Sequence, residues 1–505
     1  MLAAIKKLKP NKSGGPDGFP PLLFKQLTPA LATPLSLIFE SLMSVGRIPS
    51  EWAHAFVTPI YKGGNASDIS NYRPVSLTCI ACKLMERIIS NDMLAYLRQH
   101  NAITEQQHGF LSGRSTTTNL LESINDWTIA IKNKQSVIVA YIDYSKAFDT
   151  VSHTKLLSKL TAYGISGRLL SWIAGFLSNR TQQTRVGSTL SNVASLVSGV
   201  VQGSVIGPLL FLLFINDVVD LFTDNRCACK LYADDLKIYT NIELSDGVSV
   251  LQSKLDELNK WSEQWQLSIS HKKTNIMLIS LYNTTSNDMQ FYIGDNAVHI
   301  VGEVKDLGVT LDKRLRFATH INQIVARAFV RTNLLFKCFT SRDTATLVRA
   351  FIVYVRPLLE YASCVWSPYH ITAIKQIESV QRKFTKKLPG LKDLSYSDRL
   401  VRSGIERLEL RRIKQELILT YKIYFGLMNT TATDLFTPAN TDHDTRGHKY
   451  KLMQSHCRVD VRKYFFAERI VKLWNNLSAQ ERDFSNLGNF KSFLNKTDLS
   501  MYLLG

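Results

Sequence analysis

The sequence is poor in cysteine, in long apolar runs and in acidic residues relative to basic ones. Its 505 residues include seven cysteines, an odd and widely spread set that does not form a disulfide framework. The most apolar run, residues 209–215, is far shorter than the roughly 20 residues of a membrane-spanning helix. The N-terminal segment reaches Lys6 and Pro10 before a signal peptide could form its apolar core. We therefore expect an intracellular protein with no membrane partner.

The shortage of acidic residues is concentrated in one part of the chain. There are 61 Lys and Arg against 42 Asp and Glu, a formal charge of +19, and residues 316–505 hold 31 of the basic and only 16 of the acidic side chains. A hydrophobic content of 45% argues against a disordered tail and places this charge on a folded surface. Such a surface favours a polyanionic partner, above all nucleic acid. The length predicts about three domains.

Two segments combine strand patterns with carboxylates. Residues 136–142 (SVIVAYI) form a β-branched apolar run that ends at Asp143. Asp234 and Asp235 lie between apolar segments in LYADDLKIY, a pattern that predicts a β-hairpin with acidic residues at its turn. An aspartate pair alone is most often a turn former. Three carboxylates carried by apolar strands, however, need cations to offset their repulsion, and oxygen ligands suit Mg²⁺. The pattern favours two-metal phosphoryl transfer.

The same segments resemble known motifs. VAYIDYSKAFDTV and LYADDLKIY are similar to motifs A and C of reverse transcriptases, particularly those of jockey-like non-long-terminal-repeat retrotransposons. SGVVQGSVIGPLLFLLFIND resembles motif B, and ISNYRPVSLTCIACKLMERII resembles the fingers segment. HGFLSGRSTTTNLL, SHKKTNIMLI, VKDLGVTLD and the tail FFAERIVKLWNNLSAQERDF extend the likeness. The resemblance implies an α+β right-hand polymerase with an antiparallel palm sheet, helical fingers and thumb, and a basic helical C-terminal domain.

The resemblance also implies an activity, that of an RNA-directed DNA polymerase, a nucleotidyltransferase that extends a primer 3′-hydroxyl on an RNA template. Its partners would be the RNA template, a DNA primer and deoxynucleoside triphosphates. Its cofactors would be two Mg²⁺ ions, with Mn²⁺ as an alternative. We expect no zinc, because the Cys and His residues are too scattered for a recognisable zinc site. The expected location is the nucleus, with a cytoplasmic ribonucleoprotein stage.

The regions of the chain follow from the same alignment of motifs. We predict an N-terminal extension of the fingers at residues 1–55, fingers and palm at 56–315, thumb and connection at 316–400, and the basic helical domain at 401–505. Only about 60 residues precede the fingers segment. That length leaves no room for the endonuclease that such element proteins carry, so we expect it to be missing.

The catalytic residues are assigned through the motifs. The resemblance implies that Asp143, Asp234 and Asp235 hold the metal ions. Lys273 in HKKT matches the motif D lysine, which is suited to protonate the departing pyrophosphate. Its neighbour Lys272 leaves that assignment open by one residue.

The nucleotide-binding residues come from the fingers and from motifs A and B. Arg73 and Lys62 fall where the fingers hold the triphosphate, although Lys62 fits a solvated surface lysine nearly as well. Phe148 matches the position whose ring crowds the sugar 2′ carbon and excludes ribonucleotides; taken alone it would be a core aromatic. Gln202 and Gly203 match the motif B pair beside nucleotide and template; taken alone they are a turn dipeptide.

The nucleic-acid contacts are predicted in two places. Leu307, Gly308 and Val309 would belong to the hairpin that grips the primer, and would otherwise be an ordinary apolar turn. The basic C-terminal region would track the nucleic-acid backbone with salt-dependent affinity. Its candidate contacts, for which a solvated helix face is the alternative, are Lys383, Lys386, Lys387, Arg411 and Arg412.

Two rival functions remain open. A domesticated or truncated nucleic-acid-binding remnant could keep the fold without catalysis, but the three intact carboxylates disfavour it. An RNA-templated RNA polymerase could share the palm, but Phe148 and the jockey-like motifs disfavour that alternative.

Overall fold

A computed structural model of the protein describes residues 1–224, 226–242, 247–282, 289–430, 435–439 and 448–505. The described part is a mixed α and β structure. Its strands are β1 His54–Tyr61, β2 Tyr72–Leu77, β3 Ser136–Ile142, β4 Arg180–Val186, β5 Thr189–Leu190, β6 Ala194–Leu196, β7 Ala228–Tyr232, β8 Asp235–Ile242, β9 Asn275–Ile279, β10 Phe291–Ile293, β11 Asn296–Ile300, β12 Glu303–Asp306 and β13 Val309–Asp312.

The helices of the first two thirds of the chain surround these strands. They are α1 Leu2–Lys6, α2 Pro21–Gln26, α3 Thr28–Val45, α4 Ser50–Ala53, α5 Ile80–Gln99, α6 Thr116–Lys132, α7 Ala147–Thr150, α8 His153–Ala162, α9 Gly167–Leu177, α10 Gly207–Ile215, α11 Gly247–Trp265 and α12 Ala318–Cys338. The remaining third is helical in its described residues apart from loops and an isolated bridge, with α13 Thr344–Tyr354, α14 Arg356–Glu360, α15 Ser363–Trp366, α16 Ile371–Lys386, α17 Tyr396–Ser403, α18 Leu408–Tyr424, α19 Asp460–Lys463, α20 Phe466–Asn475 and α21 Leu487–Lys496.

The central sheet has the strand order β10-β11-β9-β3-β8-β7. Strand β3 pairs antiparallel with both β8 and β9, and β7 pairs antiparallel with β8. The pairing of β11 with β9 is parallel, so the prediction of a purely antiparallel sheet was wrong at this edge. The cause is the connection between the strands. β10 and β11 form a separate antiparallel hairpin, and its second strand, β11, runs in the same direction as β9.

The predicted helical fingers contain a sheet of their own. The N-terminal sheet has the order β2-β1-β4-β5, with β6 also paired to β4. Strands β1 and β4 lie parallel although more than a hundred residues separate them. The apolar and β-branched residues of AFVTPIY favour a strand over a helix here. This region is therefore mixed α and β, not helical as predicted.

Alternate residues of the central sheet enter two different cores, because successive side chains of a strand point to opposite faces. On β3, Ile138 and Ala140 pack on one face, with helices α5 and α8–α11. Val137 and Val139 pack on the other face, with α6, α12 and the C-terminal helices. The sheet thus joins an N-terminal core and a C-terminal core, and its strand ends lie between them.

All seven cysteines lie within the described residues and are free thiols, so the prediction of no disulfide framework is confirmed. Cys79 and Cys82 are buried at the start of α5. Within the part of the chain that the structure describes, one helix, α3, is long and apolar enough to cross a membrane by length and composition. A single helix of this kind near the N-terminus is weak evidence, since a core helix passes the same test.

Candidate active site

Three carboxylates meet where β3 and the β7–β8 hairpin end. Asp143 follows directly after β3, and the pairing of Ile142 with Leu236 places it beside the start of β8. Asp235 is the first residue of β8 and pairs with Tyr232 across a two-residue turn. Asp234 lies in that turn. The predicted hairpin is present, and its carboxylates lie at the same end of the sheet as Asp143.

The local electrostatics raise the pKa of each of these carboxyl groups. Burial is the main cause for all three, and the pKa of Asp234 is raised further by the charge of Asp143. Asp235 has a pKa of about 7, because burial is reinforced by repulsion from Asp234, Asp306 and Asp143. The Asp235 side chain is exposed to water and lines a cavity of about 140 Å³ together with Asp143 and Lys273. The neighbouring cations Lys62, Arg73 and Lys273 offset the negative charge of the site only in part.

The donor set fits a hard divalent cation, since carboxylate oxygens are the ligands that such ions prefer and a bound cation relieves the repulsion that raises these pKa values. Asp143, Asp234 and Asp235 are the residues that would hold it. In the described residues, no three His, Cys, Asp or Glu side chains close around a single point. The fit therefore rests on the chemistry of the donors and on their shared electrostatics.

Two cations of the N-terminal sheet face these carboxylates. Lys62 follows β1, and its backbone N–H donates to Asn71 across the β1–β2 hairpin (2.8 Å). Arg73 lies on β2 opposite Ile60. Both side chains are exposed, and both lower the pKa of Asp234 by their positive charge. The structure thus brings the two predicted triphosphate-binding cations toward the carboxylates.

The Gln202–Gly203 dipeptide docks against β2. The Ser76 N–H donates to the Gln202 carbonyl (2.7 Å). Gly203 has φ +123°, and a Cβ atom there would lie 2.3 Å from the Ser76 carbonyl oxygen, so only glycine allows this approach. The dipeptide is therefore held against Ser76, which lies three residues after Arg73 on β2.

Phe148 lies in an aromatic cluster at the edge of the site. Its ring stacks on Phe211, with centroids 4.2 Å apart, and meets Phe110 edge to face at 6.1 Å. Phe148 is half-buried, and Phe110 is 54% exposed. Phe148 therefore packs on the core through Phe211, while Phe110 exposes the other side of the cluster to solvent.

The turn after α11 places Lys273 beside Asp143. The Lys273 Nζ atom lies 3.9 Å from Asp143 Oδ1. The turn is docked by two further contacts, in which the Ser270 N–H donates to the Asp143 carbonyl (2.7 Å) and the Asp143 N–H donates to Thr274 Oγ1 (3.3 Å). Of the two adjacent lysines, this geometry favours Lys273 over Lys272.

The predicted primer-grip residues form the turn between β12 and β13. Leu307 and Gly308 occupy the turn, and the Tyr361 hydroxyl donates to the Leu307 carbonyl (2.8 Å). Val309 is fully buried, so its side chain faces the C-terminal core and not the site. The hairpin is tied to β8 by a buried ion pair between Lys237 and Asp306 (2.5 Å). Sequence analysis missed this pair, although a lysine inside the apolar strand LKIYT was a detectable signal.

The predicted C-terminal contacts divide into two groups. Lys383, Lys386 and Lys387 are exposed at the end of α16. Arg411 instead makes a partly buried ion pair with Glu360. Arg412 is only 2% exposed. The prediction that Arg411 and Arg412 contact a nucleic-acid backbone is corrected, because Arg411 is engaged by Glu360 and Arg412 is buried.

Comparison with known proteins agrees with this geometry. Residues 60–311 match the family "Reverse transcriptase (RNA-dependent DNA polymerase)". The chain is 28% identical over 396 residues to the RNA-directed DNA polymerase from mobile element jockey of Drosophila melanogaster, covering 76% of this chain and 43% of the relative. It is 27% identical over 399 residues to the probable RNA-directed DNA polymerase from transposon BS of the same species, with the same coverage.

Among solved structures, the chain is similar to telomerase from Candida albicans in complex with a fragment of telomeric RNA. That match has 12% identity and a TM-score of 0.37, and covers 75% of this chain and 69% of the other. The chain spans less than half the length of the two transposon relatives. The residues that match the family include all three carboxylates and both cations of the site. This chain belongs to the reverse transcriptase family, with its relatives among the jockey-like non-long-terminal-repeat retrotransposons, a family that depends on divalent metal ions.

Proposed function

We propose that this chain is an RNA-directed DNA polymerase of a non-long-terminal-repeat retrotransposon, working as a right-hand polymerase. The observation that carries the proposal is the group of three carboxyl side chains with raised pKa values, Asp143, Asp234 and Asp235, within electrostatic reach of Lys62 and Arg73. A polymerase needs this juxtaposition, because the carboxylates hold cations and the cations hold a triphosphate.

The chemistry is an in-line transfer of a nucleotidyl group. The primer 3′-oxygen forms a bond to the α-phosphorus of a deoxynucleoside triphosphate as the bond to pyrophosphate breaks. Bound Mg²⁺ ions, with Mn²⁺ as an alternative, supply the activation of the hydroxyl and the neutralisation of phosphate charge. Asp143, Asp234 and Asp235 would hold these ions and in this way orient the reacting groups.

The remaining residues bind and orient the substrates. Lys62 and Arg73 hold the triphosphate, and Arg73 offers bidentate geometry. Lys273 donates the proton that the departing pyrophosphate takes up. Phe148 excludes the ribose 2′-hydroxyl, and Gln202 with Gly203 forms the wall against nucleotide and template.

The nucleic acid occupies the adjoining surfaces. We propose that the Leu307–Gly308 turn positions the primer end, and that Lys383, Lys386 and Lys387 follow the backbone of the template–primer duplex. The division into regions at residues 1–55, 56–315, 316–400 and 401–505, and the nuclear location with a cytoplasmic ribonucleoprotein stage, are parts of the same proposal.

The test is extension of oligo-dT on poly-rA by the purified chain with Mg²⁺ and dTTP. The native chain should extend the primer, and an Asp234→Asn, Asp235→Asn double variant should lose about three orders of magnitude in rate, equivalent to several kcal/mol of transition-state stabilisation. Asp92→Asn, an exposed carboxylate on α5, is the matched control and should extend normally. Absence of extension by the native chain, with salt-sensitive RNA binding retained, would favour the non-enzymatic remnant.

A further inference from the structure

A buried glutamine, Gln107, makes hydrogen bonds to the turn that carries Asp234. Gln107 is 2% exposed. Its Oε1 atom accepts hydrogen bonds from the Ala233 N–H (2.8 Å) and from the Gly109 N–H (2.7 Å). Its Nε2 group donates to the Ala233 carbonyl (3.4 Å). One side chain thus satisfies both backbone groups of the residue next to Asp234.

The gripped residue has an unfavourable backbone conformation. Ala233 has φ +57°, in the left-handed region that residues with a Cβ atom rarely adopt. The hairpin needs a positive φ in its two-residue turn, but the sequence places alanine there, not glycine. Something outside the hairpin must therefore hold the turn, and Gln107 makes the contacts that do so.

The segment around Gln107 is itself fixed along the edge strand β7. The Leu231 N–H donates to the Gln106 carbonyl (2.9 Å), and the His108 N–H donates to the Leu231 carbonyl (2.8 Å). At Gly109, a Cβ atom would lie 2.4 Å from the Ala233 nitrogen. Only glycine allows the segment to come this close to the turn.

The other side of the segment is anchored in helix α6. The His108 ring bonds Thr118 Oγ1 (2.8 Å) and lies 3.3 Å from Glu122. Glu122 also pairs with Lys230 of β7 (2.6 Å), and these partners lower the pKa of Glu122 to about 2 despite its burial. Because both sides are fixed, Gln107 is a rigid support and not a side chain that follows the turn.

We infer that Gln107 is a positioning residue that sets the orientation of the Asp234 carboxylate through the Ala233 backbone. The inference rests on the proposed function, in which Asp234 holds a divalent cation. Gln107 touches neither substrate nor metal. Its loss leaves Lys62 and Arg73 in place, so nucleotide binding persists while the carboxylate loses its orientation.

The test compares two buried glutamines. Gln107→Met removes the three hydrogen bonds and keeps the side-chain length. Gln381→Met is the matched control, because Gln381 is fully buried in α16 and its Nε2 group bonds Tyr396 (3.1 Å) and the Glu406 carbonyl (2.9 Å), away from the site. We expect kcat for primer extension to fall about 10–100-fold in Gln107→Met, with KM for dTTP changed little. Gln381→Met should lower the unfolding midpoint and leave kcat per folded molecule unchanged.

A second measurement does not depend on catalysis. Binding of Mn²⁺ to each purified chain, followed by electron paramagnetic resonance, should weaken about 10-fold or more in Gln107→Met and stay native in Gln381→Met. Equal Mn²⁺ affinity and equal kcat in native and Gln107→Met chains overturn the inference. If the native chain binds Mn²⁺ but extends no primer, the proposed function fails, and the Mn²⁺ comparison alone decides on Gln107.

A second variant guards against loss of folding in Gln107→Met. Gly109→Ala leaves Gln107 intact but forces the segment away from Ala233, since the new Cβ atom meets the Ala233 nitrogen. It should show the same fall in kcat and in Mn²⁺ affinity. A folded Gly109→Ala chain with native values would overturn the inference.

Discussion

The carboxylate site at the strand ends and the C-terminal core differ in how their charged side chains are compensated. At the strand ends, burial raises the pKa values of Asp234 and Asp235, and repulsion from Asp143 raises them further. In the C-terminal core, Glu378 accepts hydrogen bonds from the Leu408 N–H (3.0 Å) and other groups. Its buried neighbour Arg412 adds a compensating positive charge. The C-terminal core thus neutralises its charged side chains internally. The carboxylates at the strand ends instead keep negative charge that a bound cation would neutralise.

The comparison explains why the basic excess is a poor guide to binding residues. Residues 316–505 hold 31 basic and 16 acidic side chains. Part of this positive charge is neutralised by ion pairs inside the fold, where Arg469 pairs with Glu416 (2.6 Å) and Arg462 pairs with Glu468 (3.0 Å). Only the cations that remain exposed, such as Lys386, are available to a polyanion.

The largest expected effect is on the free energy of unfolding, and it comes from removing the buried cation Arg412 from the C-terminal core. Arg412→Met leaves the charges of Glu378, Glu409 and Glu416 without their central cation. We expect a loss of about 3–5 kcal/mol in the free energy of unfolding, measured by urea denaturation. Lys383→Met, an exposed cation of the same region, should change stability little. Unchanged stability with weakened RNA binding in Arg412→Met would restore the original prediction that this residue contacts nucleic acid.

The next effect concerns the aromatic cluster of the open site. Phe148→Val removes the ring that stacks between Phe211 and the exposed Phe110. We expect the preference for dTTP over UTP in single-nucleotide incorporation to fall about 10–100-fold. A loss of thermal stability with unchanged sugar selectivity would assign Phe148 to the core instead.

A smaller effect is expected from the exposed cations of α16. The double variant Lys386→Gln, Lys387→Gln should weaken binding of a template–primer duplex several-fold near 0.15 M salt. It should also flatten the plot of log affinity against log salt by about 0.9 for each lost contact. The control with the same charge change is Lys6→Gln, Lys7→Gln, on exposed residues at the C-terminal end of α1. Equal salt slopes for the two double variants would show that α16 lies off the nucleic-acid path.

The smallest effect is a pH dependence of stability. Asp235 has a pKa of about 7 in the folded chain, above the ordinary value, so protonation favours the folded state. This contribution is complete below about pH 4 and is lost as pH rises through 7. In EDTA, Asp235→Asn should therefore unfold at a higher temperature than the native chain at pH 8, and at the same temperature at pH 4. The reverse order at pH 8 would mean that the carboxylate is compensated.

The sequence predicts the catalytic strands well because their signals are local. The apolar run SVIVAYI coincides with β3, and LYADDLKIY gives the β7–β8 hairpin with its carboxylates at the turn. Buried β-branched runs have few alternatives to a strand, and their carboxylates stand out by chemistry.

The features that the sequence did not predict depend on distant contacts. The parallel pairing of β1 with β4 joins segments that have no shared local pattern. The engagement of Arg411 by Glu360 and the burial of Arg412 depend on which face of α18 meets the C-terminal core. The grip of Gln107 on Ala233 joins residues 126 positions apart. Periodicity and composition carry no information on such partners.

The most direct test compares the carboxylate site at the strand ends with the C-terminal core. It measures turnover and stability together for one carboxylate from each of these two regions. Asp143→Asn should lower the single-turnover rate of dTTP incorporation about 1,000-fold, with no loss in the free energy of unfolding. Glu416→Gln, which disrupts the ion pair with Arg469, should lower the free energy of unfolding by about 1–3 kcal/mol and leave the rate per folded molecule near native. An Asp143→Asn chain that keeps its rate, or that loses stability instead, would contradict the account.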